Sequence, residues 1–236
     1  MSALAEHNPS RSVTVRNVAL TGNPNCGKTT IFNALTGLRA KVGNYAGVTV
    51  ERKEGRLLGS SRENPITVLD LPGTYSLSPQ SLDEQIARDV LFHRLPDVPP
   101  PDLVVVVVDA SNLQRNLYFA TQVIELGYPT IIALNMIDVA RENGHEINTE
   151  LLARELGVPV LPLVASKRKG IAEVRERILL GLHAPSTPRR FAELPSAFAR
   201  EVDSVASLLA EVFPEPEYRA EAEAALILGD ERFLTS

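Results

Sequence analysis

The chain has 236 residues, 44% of them hydrophobic, and a formal net charge of −5 at pH 7. This length is typical of one large domain, or of one domain with a small appendage. The acidic balance argues against a protein that binds nucleic acid through bulk positive charge, so we expect no nucleic-acid partner. The single cysteine, Cys26, excludes an internal disulfide framework and a zinc site built from several cysteines, which suits a reducing compartment.

The sequence shows neither a membrane span nor a secretory signal. The longest apolar run, residues 103–108, is far shorter than a helix that spans a bilayer. Residues 1–16 contain polar and charged residues throughout and lack the apolar segment of a signal peptide. We therefore expect this chain to be soluble and cytosolic.

Short apolar runs alternate with helical patterns up to about residue 182. This alternation predicts an α/β fold with a mostly parallel sheet and helices on both faces. The predicted strands cover residues 13–21, 49–58, 65–70, 103–109, 130–135 and 158–164. The predicted helices cover residues 28–38, 81–93, 113–126, 149–156 and 171–180.

The composition changes after residue 182. Residues 183–190 contain prolines and serine and are typical of a connector. Apolar residues then recur at the three- and four-residue spacing of one helix face, at Phe198, Val202, Val205, Leu209 and Val212. A second helix is expected over 218–228, ended by a glycine. We predict one domain at residues 1–182 and a small helical domain at residues 183–236.

A phosphate-binding loop is predicted between the first strand and the first helix. Its pattern is Gly22-x-x-x-x-Gly27-Lys28-Thr29. In such a loop, backbone N–H groups cradle phosphates, the lysine reaches the β and γ groups, and the threonine hydroxyl holds Mg²⁺. We expect the nucleotide to contact Gly22, Asn23, Asn25, Cys26, Gly27, Lys28, Thr29 and Thr30. A glycine turn followed by an unrelated lysine is the competing interpretation, and two further motifs argue against it.

Two strand ends supply these motifs. Asp70-Leu-Pro-Gly73 follows one strand, where Asp70 can hold the Mg²⁺ shell and the Gly73 N–H can approach a γ-phosphate, since no Cβ intervenes. Asn135-Met-Ile-Asp138 follows another strand, and the Asp138 carboxylate can accept two hydrogen bonds from the donors that guanine presents. Taken singly, either aspartate could be a turn residue. Their order and their positions at strand ends favour a guanine-nucleotide site.

Six stretches resemble one family of GTPases. They are GNPNCGKTT (22–30), VGNYAGVTVERKEG (42–55), DLPGTYSLS (70–78), SLDEQIARD (81–89), VVDASNLQRNLY (107–118) and ALNMID (133–138). Through them the sequence resembles a Ras-like P-loop G domain, and more closely the N-terminal cytosolic G domain of the bacterial ferrous iron transporter family FeoB. The resemblance covers residues 16–182, and the helical appendage resembles the helical spacer domain of that family.

The resemblance implies an activity and partners. It implies a GTPase that converts GTP to GDP and phosphate slowly, with potassium-activated hydrolysis coupled to Fe²⁺ uptake. The implied cofactors are GTP or GDP, Mg²⁺ and K⁺. The implied partner is the protein's own membrane permease domain, at the cytoplasmic face of the bacterial inner membrane. Because that domain is missing here, we expect the chain to be a fragment. A homo-oligomer is compatible with the sequence.

The resemblance also assigns a switch segment. Thr49, preceded by Gly47 and Val48, corresponds to the threonine that reaches Mg²⁺ and the γ-phosphate, although from its residue type alone Thr49 could equally begin a strand. With Lys28 and Gly73, it would belong to the catalytic groups.

On the base side, the loop that meets the guanine oxygen would be Val164, Ala165 and Ser166. Met136 replaces the lysine that commonly packs on the base, so weaker nucleotide affinity is expected.

Asn25 is the residue that the resemblance assigns to potassium and to catalysis. A side-chain carbonyl beside the phosphates can ligate a monovalent cation, whose charge would act where other GTPases use an arginine finger. In potassium-activated GTPases a backbone loop before the switch threonine completes the site, and here it would be residues 43–45. The competing interpretation is that Asn25 only supports the turn, which is the role we expect for the Asn23 side chain.

No glutamine follows the DLPG motif to orient the attacking water. Thr74 and Tyr75 stand there instead, and Gln80 and Gln85 are expected at the surface. A non-enzymatic nucleotide sensor is therefore one alternative function. A ribosome-assembly or tRNA-modification GTPase is another, although the acidic balance argues against it.

The histidines, the cysteine and the acidic pair at residues 83–84 do not indicate a second metal or catalytic site. The four histidines show no metal-ligand spacing, and Cys26 is expected to be a small packing residue. Asp83 and Glu84 are expected to form a solvated helix start.

Overall fold

The computed structural model describes residues 15–182, 189–191, 193–213 and 219–229. The strands in these residues are β1 Arg16–Gly22, β2 Ala40–Asn44, β3 Glu51–Arg56, β4 Ile66–Asp70, β5 Leu103–Asp109, β6 Thr130–Asn135 and β7 Val160–Pro162. The helices are α1 Lys28–Thr36, α2 Leu82–Leu91, α3 Leu113–Glu125, α4 Ile137–Glu142, α5 Thr149–Leu156, α6 Ile171–Gly181, α7 Ser196–Val212 and α8 Ala220–Gly229. Among these residues we find no helix with the length and hydrophobicity that crossing a bilayer requires.

The strands form a single sheet in the order β2-β3-β4-β1-β5-β6-β7. β1 lies between β4 and β5 and is parallel to both, and β6 and β7 continue the parallel arrangement. β2 and β3 run antiparallel to their neighbours. Because β1, β4 and β6 are parallel, the three motifs that follow them meet at one edge of the sheet.

Helices cover both faces of the sheet and create two buried clusters. α2 and α3 pack on one face, where Phe92 and Phe119 are almost fully buried, and α1 and α6 pack on the other, around Phe32 and Ile178. The valines of β5 alternate between the two clusters. A strand buried on both faces needs apolar residues at every position, which explains the unbroken run at 103–108. The predicted α/β fold is confirmed.

One edge of the sheet differs from the prediction. The strand expected at 49–58 begins only at Glu51, and β2 lies before it, where the sequence predicts no strand. Every residue of β2 is exposed, so it carries no alternation of apolar and polar residues. β2 is held by its pairing with β3, which extends from Ala40 opposite Gly55 to Asn44 opposite Glu51. The short helix α4 is also not predicted, because six residues are too few to show a helical period.

α7 and α8 confirm the helices expected after the connector, although residues 183–188, 192 and 214–218 lie outside the described residues. α8 is docked on the α/β unit. Glu223 is fully buried and forms an ion pair with Arg94, which lies just beyond α2. The guanidinium carbon of Arg219 lies 4.4 Å from the centre of the Tyr128 ring. The division into two domains stays a prediction.

Candidate functional site

The phosphate-binding loop connects β1 to α1, and two of its positions require glycine. Gly22 has a φ of 150°, and a Cβ there would lie 2.3 Å from the Val107 carbonyl oxygen. Gly27 has a φ of 89°, and a Cβ there would lie 2.2 Å from Asn135 Nδ2. The loop is therefore pressed against β5 on one side and against the end of β6 on the other. It directs the N-terminus of α1 into the cleft beside it.

An open cleft of about 590 Å³ lies above this loop. Several residues of the predicted nucleotide site line it, namely Asn23, Asn25, Gly27, Lys28, Thr29, Thr30, Asp70 and Gly73. The opposite wall is formed by Val50, Glu51 and Lys53 at the start of β3. The structure thus brings the loop after β1 and the DLPG motif after β4 to the same cavity.

Lys28 and Asp70 form an ion pair at the floor of this cleft. The Lys28 Nζ lies 3.1 Å from Asp70 Oδ1. Burial raises the pKa of the Asp70 carboxyl above its ordinary value, and the Lys28 ammonium works in the opposite direction. The Thr29 hydroxyl and the Asp70 carboxylate are hard oxygen donors on the cleft wall, the type that Mg²⁺ prefers. These two residues fit the predicted magnesium site.

Asn135 connects the phosphate loop to the base-side loop. Its Nδ2 donates to the Cys26 carbonyl oxygen at 2.9 Å, and its Oδ1 accepts from the Ala165 N–H at 3.0 Å. The side chain is almost fully buried, with 3% of the residue exposed. Asn135 therefore acts on the site by holding two loops together. The sequence motif indicates the position of this residue but not these two bonds.

Asp138 is paired with a lysine that the sequence reasoning did not connect to it. The Lys167 Nζ donates to Asp138 Oδ2 at 2.8 Å, and the Val139 N–H donates to Oδ1 at 3.1 Å. The hydrogen bond from Lys167 lowers the pKa of the Asp138 carboxyl, so the group is ionised at neutral pH.

The other predicted base-side residues differ in exposure. Met136 has a left-handed backbone with a φ of 61°. Val164 and Ala165 are buried, whereas Ser166 is exposed.

Thr49 and the two residues before it do not line the cleft in this structure, although the next residue, Val50, does. Thr49 is exposed and lies outside the cleft lining, as do Gly47 and Val48. Residues 45–50 form a closed turn between β2 and β3, in which the Tyr45 N–H donates to the Val50 carbonyl oxygen at 3.0 Å. The expectation that residues 43–45 form a loop is wrong for Gly43 and Asn44, since they belong to β2 and pair with Arg52 and Glu51.

Asn25 lies in the cleft lining with a φ of 65°. Asparagine tolerates this left-handed backbone better than most residues, so the turn alone gives it a role. The residue is also exposed, as a residue that binds a cation from the cleft would have to be. Both interpretations of Asn25 therefore remain compatible with the geometry.

The loop from Leu71 to Ser81, between β4 and α2, is held by a glutamate that we expected to be solvated. Glu84 is only 9% exposed, and its carboxylate accepts from the Tyr75 N–H at 3.1 Å and from the Gln80 N–H at 2.7 Å. The Ser81 hydroxyl in turn accepts from the Glu84 N–H. The bond to the Ser81 hydroxyl is one half of a capping box, whereas the Glu84 carboxylate reaches the Gln80 N–H, one residue before the N-cap. The spacing Ser81-x-x-Glu84 could have indicated this arrangement. The Arg115 guanidinium carbon lies 4.2 Å from the centre of the Tyr75 ring and covers the same loop.

Cys26 is a packing residue, as expected. It is 1% exposed, and burial raises the pKa of its thiol to about 11, so it is not a thiolate at neutral pH.

Within the described ranges no group of three or more His, Cys, Asp and Glu side chains is placed to hold a metal ion.

The comparisons with known proteins agree with this geometry. A family model described as ferrous iron transport protein B matches residues 16–178. The Fe(2+) transporter FeoB of Salmonella typhimurium is 43% identical over 206 residues, which make up 86% of this chain and 26% of that protein. The chain therefore spans about a quarter of the length of the curated relatives that it matches.

Solved structures give the same result. The cytosolic domain of L. pneumophila FeoB is 38% identical with a TM-score of 0.76, covering 88% of this chain and 79% of that chain. The cytosolic domain of the T. maritima FeoB iron transporter in its GMPPNP form is 34% identical with a TM-score of 0.76, covering 89% of this chain and 79% of that chain.

Proposed function

This chain belongs to the FeoB family of ferrous iron transport proteins, and from that premise we propose that it binds GTP, hydrolyses it slowly with activation by potassium, and thereby regulates Fe²⁺ uptake. The observation that carries the proposal is the meeting of Lys28, Thr29, Asp70 and Gly73 in one cleft beside the phosphate loop. Relatives with GDP and GMPPNP forms support a guanine nucleotide as the ligand.

The phosphates would replace Asp70 as the partner of Lys28. The loop N–H groups and the α1 N-terminus would meet the nucleotide's negative charge, with the Lys28 ammonium at the β and γ groups. Thr29 and Asp70 would then hold Mg²⁺, which supplies positive charge to the phosphates when it is bound. The Gly73 N–H would donate to the γ-phosphate.

Guanine selection would rest on Asp138. Its two carboxylate oxygens would accept from the ring N–H and the exocyclic amino group, a donor pair that adenine lacks. The hydrogen bond from Lys167 supports this role, since it orients the carboxylate. Asn135 would hold the loop at 164–166 in position for the guanine oxygen.

GTP would close the switch segment over the cleft. Thr49 would have to move from its exposed position in the turn at 45–50 to reach Mg²⁺ and the γ-phosphate. Asn25 fits a monovalent cation site because its carboxamide is exposed at the cleft. The backbone carbonyls expected from residues 43 and 44 are engaged in strand pairing, so the same movement would have to release them.

The iron-transport part of the proposal rests on the family. The relatives are Fe²⁺ transporters more than three times as long as this chain, which leaves room in them for a membrane permease. We place the chain at the cytoplasmic face of the bacterial inner membrane, with α7 and α8 between the nucleotide site and that permease. Release of the Thr49 and Gly73 segments after hydrolysis would be the signal passed on.

Phosphate release from GTP and from ATP, measured over many turnovers in KCl, tests the enzymatic part of the proposal. We expect release from GTP only, and its loss in Lys28→Ala, because this variant removes the cation from the β and γ phosphates. No release from either nucleotide would contradict hydrolysis and favour the nucleotide sensor instead.

A further inference from the structure

Two buried polar side chains at the end of β1 have no hydrogen-bond partner among the described residues. Asn23 is 3% exposed, and neither its Nδ2 nor its Oδ1 is hydrogen-bonded. Thr21, two residues earlier, is fully buried, and its hydroxyl is likewise without a partner. More than nine in ten buried polar groups in folded proteins are hydrogen-bonded, so a cluster of this kind indicates a bond that forms in another state.

Asn23 lies beneath the loop from Leu71 to Ser81. The residue before it, Gly22, accepts from the Thr74 N–H at 3.2 Å. The residue after it, Pro24, touches Gly73, since a Cβ at Gly73 would lie 3.1 Å from three Pro24 atoms. Both neighbours of Asn23 therefore contact the segment that would sense the γ-phosphate. Asn23 also borders the cleft itself.

The loop above Asn23 is anchored by a carboxylate from Tyr75 onward, and Gly73 and Thr74 come directly before that anchor. Glu84 fixes the N–H groups of Tyr75 and Gln80. The end of the loop formed by Gly73 and Thr74 contacts Gly22 through the Thr74 N–H and Pro24 through Gly73, and the Thr74 hydroxyl donates to the Ser76 carbonyl oxygen at 2.8 Å. A small shift at this end would bring backbone groups of Gly73 and Thr74 to a carboxamide that has both a donor and two acceptor lone pairs free.

We propose that Asn23 is a positioning residue for hydrolysis, whose carboxamide hydrogen-bonds the Gly73–Thr74 backbone only when a γ-phosphate is bound. This inference rests on the proposed function. The γ-phosphate draws the Gly73 N–H into the cleft, and the Asn23 carboxamide holds the displaced backbone there. The Thr21 hydroxyl supports the carboxamide from below. A bond made in the GTP state alone favours that state, because only a difference in interaction between two states shifts their equilibrium.

The affinities of Asn23→Ala for GDP and for GMPPNP test the proposal. We expect the GDP affinity to change less than about twofold and the GMPPNP affinity to fall about tenfold, which is within the usual range of coupling between sites. KM for GTP should rise by a similar factor with little change in kcat, since the lost bond is already made in the bound GTP state. Thr21→Val keeps the side-chain shape and should lower the GMPPNP affinity by a smaller factor.

Amide hydrogen exchange of residues 71–80 gives a readout that simple destabilisation would not produce. In Asn23→Ala these amides should exchange faster with GMPPNP bound and unchanged with GDP bound. Equal loss of both affinities, or no change in either, would overturn the inference, because a carboxamide held by a buried water in both states behaves in that way. If the wild-type chain bound both nucleotides and Asn23→Ala gave either of these two results, the inference alone would fail. If the wild-type chain bound neither, the proposed function would fail with it.

Discussion

Lys28 Nζ lies 3.1 Å from Asp70 Oδ1, and both side chains are largely buried, with 12% and 6% of their surfaces exposed. The lysine of the phosphate loop and the aspartate of the DLPG motif are thus each other's partner in this structure. Each charge is therefore paired with the other in the absence of a ligand. Binding of a magnesium nucleotide would give both residues new partners of opposite charge at once, since Lys28 would meet phosphate and Asp70 would meet the metal.

Asp70→Asn should impair hydrolysis through Mg²⁺. The amide keeps the shape of the side chain but removes the charge that would hold the metal and pair with Lys28. We expect the rate to fall at least about tenfold, or about 1.4 kcal/mol in activation free energy, and the Mg²⁺ concentration for half-maximal rate to rise. The matched control is Asp102→Asn, which removes a carboxylate that pairs with Arg16 at 2.7 Å, outside the cleft lining. An unchanged magnesium dependence in Asp70→Asn would contradict the assignment.

Asp138→Asn should shift the preference from guanine toward xanthine nucleotides. An amide can donate to the carbonyl that xanthine has in place of the amino group of guanine, whereas the carboxylate cannot. Competition between GDP and XDP in a binding assay measures the shift. Lys167→Ala is the control, because it removes the partner of Asp138 and leaves both carboxylate oxygens. Guanine selectivity retained in Asp138→Asn would show that another group reads the base.

Thr49→Ala should separate the two nucleotide states. Because Thr49 is exposed and does not line the cleft, GDP affinity should change less than about twofold, while GMPPNP affinity should fall about tenfold. Thr49→Ser keeps the hydroxyl, so it should retain most of the GMPPNP affinity that Thr49→Ala loses. Equal loss of both affinities would mean that Thr49 acts only on the fold of the turn.

Glu223→Ala should weaken the docking of α8. Removing Glu223 takes one charged partner from Arg94, which is partly exposed and also lies 3.9 Å from Asp89, and we expect a loss of about 1.5 kcal/mol in the free energy of unfolding. Glu221→Ala on the same helix is the control, since its ion pair with Arg190 is about half exposed. Thermal unfolding of the two variants should therefore differ clearly, and similar melting temperatures would argue against a role for the buried pair.

The central part of the fold could be predicted from the sequence because burial dictates its residues. The β5 valines serve both faces of the sheet, and the phosphate loop requires glycine at 22 and 27. β2 could not be predicted, since its residues are exposed and its order comes from pairing with β3. Likewise, Lys167 meets Asp138 only because the chain returns to the sheet edge after β7, a relation that spacing does not encode.

Glu84 carries two sequence signals, and only the preference of acidic residues for the first helical turn entered the prediction. Acidic residues do favour the first turn of a helix, and α2 begins as expected. The same residue also stands three positions after the N-cap Ser81, the spacing of a capping box, and its carboxylate turns back onto the loop before the helix. The position of Thr49 is a different case, because the sequence motif indicates a role in the GTP state and cannot give the position of the segment in this structure.

Phosphate release from GTP in KCl and in NaCl, by the wild-type chain and by Asn25→Ala, tests the central claim most directly. The claim is that a monovalent ion held at the cleft by Asn25 supplies charge that no protein side chain provides. We predict faster release in KCl than in NaCl for the wild type, and equal slow release in both salts for Asn25→Ala with GDP affinity largely intact. Stimulation by KCl that persists in Asn25→Ala would contradict the claim and leave Asn25 with its role in the turn.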